Sequence, residues 1–158
     1  MATLDVRIVK LEPLRVISAY AFGEHPEDAA WAKLEAWARP RGYLDDLAHH
    51  RIFGFNNPNP SPSSPNYGYE FWMTVGPDVE SGEEMPIKHF DGGFYAVYRI
   101  PSIEDPGVDI PSAWEALYHW YEESSYQMGR HQWLEEHVEG EGMPPAKWTL
   151  DLYLPIAE

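Results

Sequence analysis

A carboxylate placed among aromatic residues is the feature of this sequence with the clearest chemical potential. Glu135 lies in the segment Trp133-Leu134-Glu135-Glu136-His137, where apolar and ionisable residues mingle. Because successive side chains of a strand point to opposite faces, Trp133, Glu135 and His137 are expected to share one face. The rings would supply apolar area and cation–π attraction, and the carboxylate would neutralise a positive centre. Burial would also make Glu135 usable as a proton donor or acceptor.

The elements that must position this carboxylate are predicted in the same order twice. The first set is a hairpin turning at Glu12-Pro13, a helix opened by Pro26 and stopped by Pro40, and two further strands; the strands are expected at residues 5–11, 15–22, 51–55 and 67–75. The second set is a hairpin across Asp91-Gly92, a helix opened by Pro111-Ser112, and two further strands; the strands are expected at residues 87–90, 93–100, 132–138 and 148–156.

The two helices carry matching residues, which indicates an internal duplication. Ala30-Trp31-x-x-Leu34-x-x-Trp37 overlays Ala113-Trp114-x-x-Leu117-x-x-Trp120, and residues 69–73 match residues 150–154 in type. The fold class predicted is therefore α+β: two tandem β-β-α-β-β repeats, at about residues 4–76 and 85–157. A pseudo-two-fold axis would join their strands into an antiparallel sheet with helices packed on it, leaving a central cleft where ligands bind.

The duplication also sorts the aromatic residues. Leu150, Leu152 and Leu154 alternate along the last strand and are expected in the core, as are Trp31, Trp37 and Trp120. The first repeat has no acid in the stretch equivalent to Glu135, and such an asymmetry favours a site in one copy only. The predicted ligand-binding residues are Glu135, His137, Tyr69, Trp72, Tyr98, Trp114, Trp133 and Tyr153.

Composition excludes several classes of function. The net charge of −15 and the lack of a Lys/Arg cluster argue against direct nucleic-acid binding. The absence of cysteine excludes disulfides, thiolate catalysis and Cys-based zinc sites. No apolar stretch approaches the ~20 residues of a membrane span, and no targeting segment is evident, so a cytoplasmic location is expected. The histidine spacings do not predict a metal site, and no cofactor is expected.

An ordered set of short motifs resembles the GyrI-like small-molecule-binding domain, which is also the effector-binding half of AraC-type and BmrR-type transcription regulators. The likeness covers nearly the whole chain. It is carried by Trp114-x-x-Leu117-x-x-Trp120, Ile52-Phe53-Gly54-Phe55 running into Asn57-Pro58, Tyr67-x-Tyr69-Glu70, Asp91-Gly92-Gly93-Phe94-Tyr95-Ala96-Val97, Leu134-Glu135, and Asp151-Leu152-Tyr153-Leu154-Pro155-Ile156.

The resemblance implies a pocket lined by aromatic residues, with a glutamate that pairs with lipophilic cations. By position that glutamate is Glu135. The chain departs from the family pattern at His137, where an aromatic or aliphatic residue is common. A histidine there could ionise near neutral pH and weaken the preference for cations. No DNA-binding domain is expected, so the chain is expected to be a stand-alone form of the module.

Three functions are compatible with these residues. The first is binding of a lipophilic, aromatic or cationic small molecule. The second, implied by the resemblance, is a hydrolase of strained cyclopropanoid electrophiles, with Glu135 as general acid or base and a hydroxyl from Tyr69, Tyr98 or Tyr153. The third is an acidic modulator of a protein partner, as in gyrase-inhibitor-like proteins. Residues 56–66, which are rich in Pro, Ser and Asn, are expected to be either a flexible connection between two strands or a lid.

Overall fold

The secondary structure follows the predicted order closely. The computed structural model describes residues 4–83 and 85–157. Its helices are α1 (Pro26–Ala38) and α2 (Pro106–Glu123). Its strands are β1 (Val6–Leu11), β2 (Leu14–Gly23), β3 (Ile52–Asn56), β4 (Tyr67–Thr74), β5 (Ile87–Phe90), β6 (Gly93–Arg99), β7 (Leu134–Gly140) and β8 (Trp148–Pro155). The α+β class and the antiparallel strand pairing are confirmed.

The chain divides into two compact units whose make-up differs from the predicted hairpins. The middle unit is Leu14–Phe90, and the terminal unit combines residues 4–13 with residues 91–157. β1 pairs with β6, and β5 pairs with β2. The predictions of a β1–β2 hairpin and a β5–β6 hairpin are therefore wrong. Pro13 and the Asp91-Gly92 pair lie where the chain passes from one unit to the other, so these turn residues do not close hairpins.

The two units have the same spatial order of strands, although the edge strand comes last along the chain in the middle unit and first in the terminal unit. In the middle unit the strand order is β3-β4-β2-β5, and in the terminal unit it is β7-β8-β6-β1. Each set also carries one helix, so the two topologies are consistent with the predicted duplication. The strand registers align Gly54 of β3 with Glu135 of β7, since Gly54 pairs with Phe71 and Glu135 pairs with the equivalent Leu152.

The helix α1 forms because an apolar stripe follows a helical period from Pro26, which fits the first turn. It packs across β2 and β4 and buries Ala30, Trp31, Leu34 and Ala38. Trp31 is the one core residue among the three tryptophans that were expected there. Trp37 and Trp120 are only half-buried; Trp37 lies under the guanidinium of Arg41, at 4.1 Å from its ring centre.

The helix α2 begins earlier than predicted, at Pro106 instead of Pro111. The Asp109 carboxylate accepts hydrogen bonds from the backbone N–H groups of Glu104 at 2.8 Å and Asp105 at 2.9 Å, which stabilises the new start. Pro111 then lies in the second turn, where its missing N–H removes a single backbone hydrogen bond. Between Pro106 and Glu123 only Ala113 and Leu117 are buried, and the helix contacts its sheet mainly along β8.

Candidate functional site

The terminal unit places Glu135 beside the indole ring of Trp114, which also contacts the ring of Trp133. Trp114 of α2 donates its Nε1–H to Glu135 Oε2 at 3.0 Å. The rings of Trp114 and Trp133 lie 5.5 Å apart at their centres, with planes tilted by 48°. Trp133 is 37% exposed, and Glu135 and Trp114 are half-buried. A carboxylate with one indole donor and aromatic walls open to solvent suits a ligand that is both apolar and positively charged.

The position of Trp114 differs from that of its counterpart in α1. Trp31 is 2% exposed and packs edge-on against Phe71, with ring centres 5.5 Å apart. Trp114 is half-buried and directs its N–H to a carboxylate. The equivalent of Glu135 in the middle unit is Gly54, so no carboxylate exists there. The two strands β3 and β7 therefore differ as the sequence indicated: only β7 has a carboxylate at this position.

The neighbours of Glu135 on β7 are buried. Glu136 is 7% exposed and accepts a hydrogen bond from the Tyr153 hydroxyl at 2.6 Å. His137 is 3% exposed and lies edge-on to Trp148, with ring centres 5.9 Å apart. Burial lowers the pKa of His137 to about 4, although a backbone hydrogen bond at Glu135 opposes the shift. His137 is therefore neutral at physiological pH, and the expectation that it ionises near neutrality is wrong.

The remaining predicted site residues lie in both units. In the terminal unit, Tyr98 is half-buried on β6, opposite Leu152. Tyr69 and Trp72 belong to β4 of the middle unit, where both are buried. Trp72 donates its indole N–H to a carboxylate of its own unit, Glu70, at 2.6 Å. The structure thus brings Trp114, Trp133 and Glu135 together, and a ligand-binding role for the full set of eight residues stays a prediction.

Sequence reasoning missed the most heavily hydrogen-bonded carboxylate of the middle unit. Glu70 is 1% exposed, and its Oε2 accepts hydrogen bonds from Ser18 and Lys88 at 2.7 Å, as well as from Trp72. Its Oε1 accepts a hydrogen bond from the Asn57 amide at 3.1 Å. Burial alone would raise the pKa of Glu70, but the hydrogen bonds from Lys88, Ser18, Asn57 and Trp72 outweigh it and hold the pKa below its usual value.

The terminal unit has its own buried carboxylate at the matching position of β8. Asp151 is 2% exposed and forms ion pairs with Arg7 at 2.9 Å and with Arg99 at 2.7 Å. The signal that would have identified both acids is the same: each is the one charged residue inside an otherwise apolar strand. Two arginines saturate Asp151, which assigns it to the structure of the unit.

Residues 4–83 and 85–157 contain neither a metal-binding cluster nor a membrane-spanning helix. No three His, Asp or Glu side chains in these ranges converge in a way that would hold a metal ion. Across the same residues, neither helix combines the length and apolarity that a membrane crossing requires.

The geometry of the terminal unit, with a carboxylate among indoles, agrees with a comparison of the whole sequence. The profile of a family described as the GyrI-like small molecule binding domain matches residues 4–157. The chain belongs to this family. As a GyrI-like protein it is a small-molecule-binding domain with an aromatic cluster, as the motifs indicated. No curated protein matches its sequence.

Solved structures share the GyrI-like fold at low sequence identity. The EcmrR C-terminal domain aligns with a TM-score of 0.66 and 14% identity, covering 98% of each chain. SAV2435 bound to tetraphenylphosphonium aligns with a TM-score of 0.56 and 11% identity, covering 98% of this chain and 94% of that one. A hydrolase from Listeria innocua aligns with a TM-score of 0.63 and 8% identity, covering 99% and 94%. At these identities the likeness shows the fold.

Proposed function

We propose that this GyrI-like domain binds lipophilic, aromatic cations at Glu135, with Trp114 and Trp133 as walls of the site. The observation that carries the proposal is the 3.0 Å hydrogen bond from the Trp114 indole to Glu135 Oε2, beside a Trp133 ring that is 37% exposed. The indole bond orients the carboxylate beside the exposed ring, where its negative charge attracts a positive centre. The neutral His137 two residues further along adds no competing positive charge.

Charge and family both support a cationic ligand. The net charge of −15 produces an attractive field for cations over the surface of the protein. The fold relative SAV2435 was solved with tetraphenylphosphonium, a cation that combines four aromatic rings with a central positive charge. This compound therefore makes a suitable probe, and its neutral relative triphenylphosphine oxide separates the contribution of charge from that of aromatic area.

Titration calorimetry and tryptophan fluorescence of the full chain test the proposal. We expect tetraphenylphosphonium to bind with micromolar affinity and to quench tryptophan emission, because two indoles line the site. Glu135→Gln should weaken binding at least tenfold, whereas triphenylphosphine oxide should bind weakly to both proteins. Glu139→Gln is the matched control, since Glu139 is an exposed residue of the same strand and its replacement changes the net charge equally. Equal affinities of wild type and Glu135→Gln would refute the proposal.

Hydrolysis of a strained cyclopropanoid electrophile is the alternative function at the same residues. The observation in its favour is the Tyr153 hydroxyl held at 2.6 Å from Glu136, on the opposite face of β7 from Glu135, since an ordered phenol–carboxylate pair can take part in proton transfer. Incubation with such an electrophile and mass spectrometry of the products decides the question. Turnover that disappears in Glu135→Gln would favour the hydrolase, and stoichiometric binding without product would favour the binding module. Docking of a basic protein partner, absence of direct nucleic-acid contact and cytoplasmic location stay predictions.

A further inference from the structure

The middle unit contains a polar cavity of about 660 Å³ beside the end of β5. The cavity begins where the β2–β5 pairing ends: Ile17 is the last paired residue of β2, and the Ser18 N–H then donates to the Pro86 carbonyl at 3.0 Å. The buried side chains of Ser18 and Glu70 reach this cavity from the sheet. Burial therefore holds one charged and one polar side chain, each at least nine-tenths buried, in fixed positions at the wall of the cavity.

Among residues 4–83 and 85–157, charged side chains of both signs line this cavity. Lys33 and Lys88 line it, together with Glu70 and Glu83. The chain has only four lysines and a net charge of −15, so half of its lysines face one cavity in a strongly acidic protein. A lone cation would meet two ammonium groups here, and a lone anion would meet two carboxylates. A ligand that carries both charges matches the cavity best.

The hydrogen-bonding groups of the cavity have capacity for such a ligand. Lys88 Nζ donates to Glu70 Oε2 at 2.7 Å, and Lys33 Nζ donates to the Tyr20 carbonyl at 2.7 Å. An ammonium has three N–H donors, so each lysine retains two beyond these contacts. Glu70 Oε2 already accepts three hydrogen bonds, whereas Oε1 accepts one, from Asn57 at 3.1 Å. The cavity therefore offers ammonium donors and one carboxylate oxygen.

We infer that this cavity binds a small zwitterion of the α-amino acid class. The carboxylate of the ligand accepts hydrogen bonds from Lys33 and Lys88, and its ammonium donates to Glu70 Oε1 and faces Glu83. The half-exposed Tyr20 ring flanks the same space and favours an apolar or aromatic side chain on the ligand. The inference goes beyond the proposed cation site, because it concerns other residues, in the middle unit, and another class of ligand.

Three matched probes test the requirement for both charges. L-phenylalanine carries an ammonium and a carboxylate, N-acetyl-L-phenylalanine keeps only the carboxylate, and phenethylamine keeps only the ammonium. In calorimetric titrations of the full chain we expect L-phenylalanine to bind at least tenfold more tightly than either singly charged probe. The inference is overturned if phenethylamine or N-acetyl-L-phenylalanine binds as tightly as L-phenylalanine, or if L-phenylalanine shows no binding at millimolar concentration.

Variants of the lysines locate the binding. Lys33→Met should weaken L-phenylalanine binding about tenfold. Because the Lys33 side chain is exposed, this substitution should leave the fold intact, and the loss of binding would not come from misfolding. Lys10→Met removes the same charge from an exposed residue of β1 and should leave the affinity unchanged. Equal affinity of wild type and Lys33→Met would contradict the inference. The affinity for tetraphenylphosphonium should be the same in wild type and Lys33→Met. The amino-acid site and the proposed cation site at Glu135 can therefore fail independently of each other.

A spectroscopic readout ties the ligand to Glu70. The Trp72 indole N–H donates to Glu70 Oε2, and its proton resonance can be assigned through Trp72→Phe. We expect L-phenylalanine to shift this resonance and tetraphenylphosphonium to leave it in place. An unmoved Trp72 resonance at saturating L-phenylalanine would place the ligand elsewhere and overturn the inference.

Discussion

Gly54 in the middle unit and Glu135 in the terminal unit occupy equivalent strand positions with opposite consequences. A Cβ atom on Gly54 would lie 2.3 Å from the Tyr69 hydroxyl, so the middle unit has no space for a side chain there. The terminal unit has a glutamate at this position, and its carboxylate receives the indole N–H of Trp114. The same strand position is thus closed in one unit and holds a half-buried, hydrogen-bonded carboxylate in the other.

The two helices show the same contrast. α1 buries Trp31 against Phe71 and packs across two strands, whereas α2 keeps Trp114 half-buried and contacts mainly β8. Dense packing of α1 stabilises the middle unit, and the sparse packing of α2 leaves the aromatic area beside Glu135 partly exposed. The two versions of one element therefore differ in how far their tryptophans are buried.

The largest expected effect concerns the two tryptophans. Trp31→Ala should lower the free energy of unfolding by about 3–5 kcal/mol, because a large, fully packed ring leaves a cavity. Trp114→Ala removes a half-exposed ring and should cost about 1 kcal/mol. Urea denaturation followed by circular dichroism measures both. Similar losses for the two variants would break the comparison between a packed and an open helix.

The second effect is a loss of stability in acid, caused by His137, which lies two residues after Glu135 on β7. The equivalent residue of the middle unit, Asn56, is exposed and lies two residues after Gly54 on β3. The pKa of His137 is about 4 in the folded protein and about 6.5 in the unfolded chain. Between these values the unfolded chain binds the extra proton, so stability is lost as pH falls from 6.5 to 4. The loss should be about 2 kcal/mol between pH 7.5 and 5.

Urea unfolding of wild type and His137→Gln at these two pH values checks the acid sensitivity. The Gln variant should lose far less stability on acidification, because it has no group to protonate. Asn56→Asp is a control at the equivalent position. Because this residue is exposed, the substitution should not change how stability depends on pH between 7.5 and 5. An unchanged pH dependence in His137→Gln would show that other groups cause the acid sensitivity.

The third comparison tests whether the position of Gly54 lacks space for a side chain. Gly54→Ala should cost about 1–3 kcal/mol, because the buried Tyr69 ring must move away from the new methyl group. Glu135→Ala at the equivalent position should change stability by less than about 1 kcal/mol, since its side chain is half-buried and already leaves space. Thermal denaturation of the two variants measures the difference. A tolerated Gly54→Ala would show that the middle unit could also accommodate a side chain there.

Local patterns were sufficient for the elements and insufficient for their pairing. The strand predicted at residues 87–90 matches β5, and Gly92, at the predicted turn, has a positive φ of +80°. The turn at Gly92 nevertheless connects two units, and a Cβ there would lie 2.0 Å from the Leu11 carbonyl of β1. A tight turn favours a hairpin, but pairing depends on which strand edges are covered in three dimensions, and residue types do not encode that directly.

Composition and motif order by themselves determined the α+β class, the order of the elements and the family, because hydrophobic period and turn chemistry are local properties. Only the tertiary structure decided that His137 is neutral and that Glu70 is buried beneath Lys88 and Ser18. It also decided that β1 pairs with β6 and β5 with β2, where the sequence predicted β1–β2 and β5–β6 hairpins. The physical reason is that burial and hydrogen-bond partners come from residues distant in sequence. Ser18 and Glu70 are 52 residues apart, and their 2.7 Å contact exists only once the strands have paired.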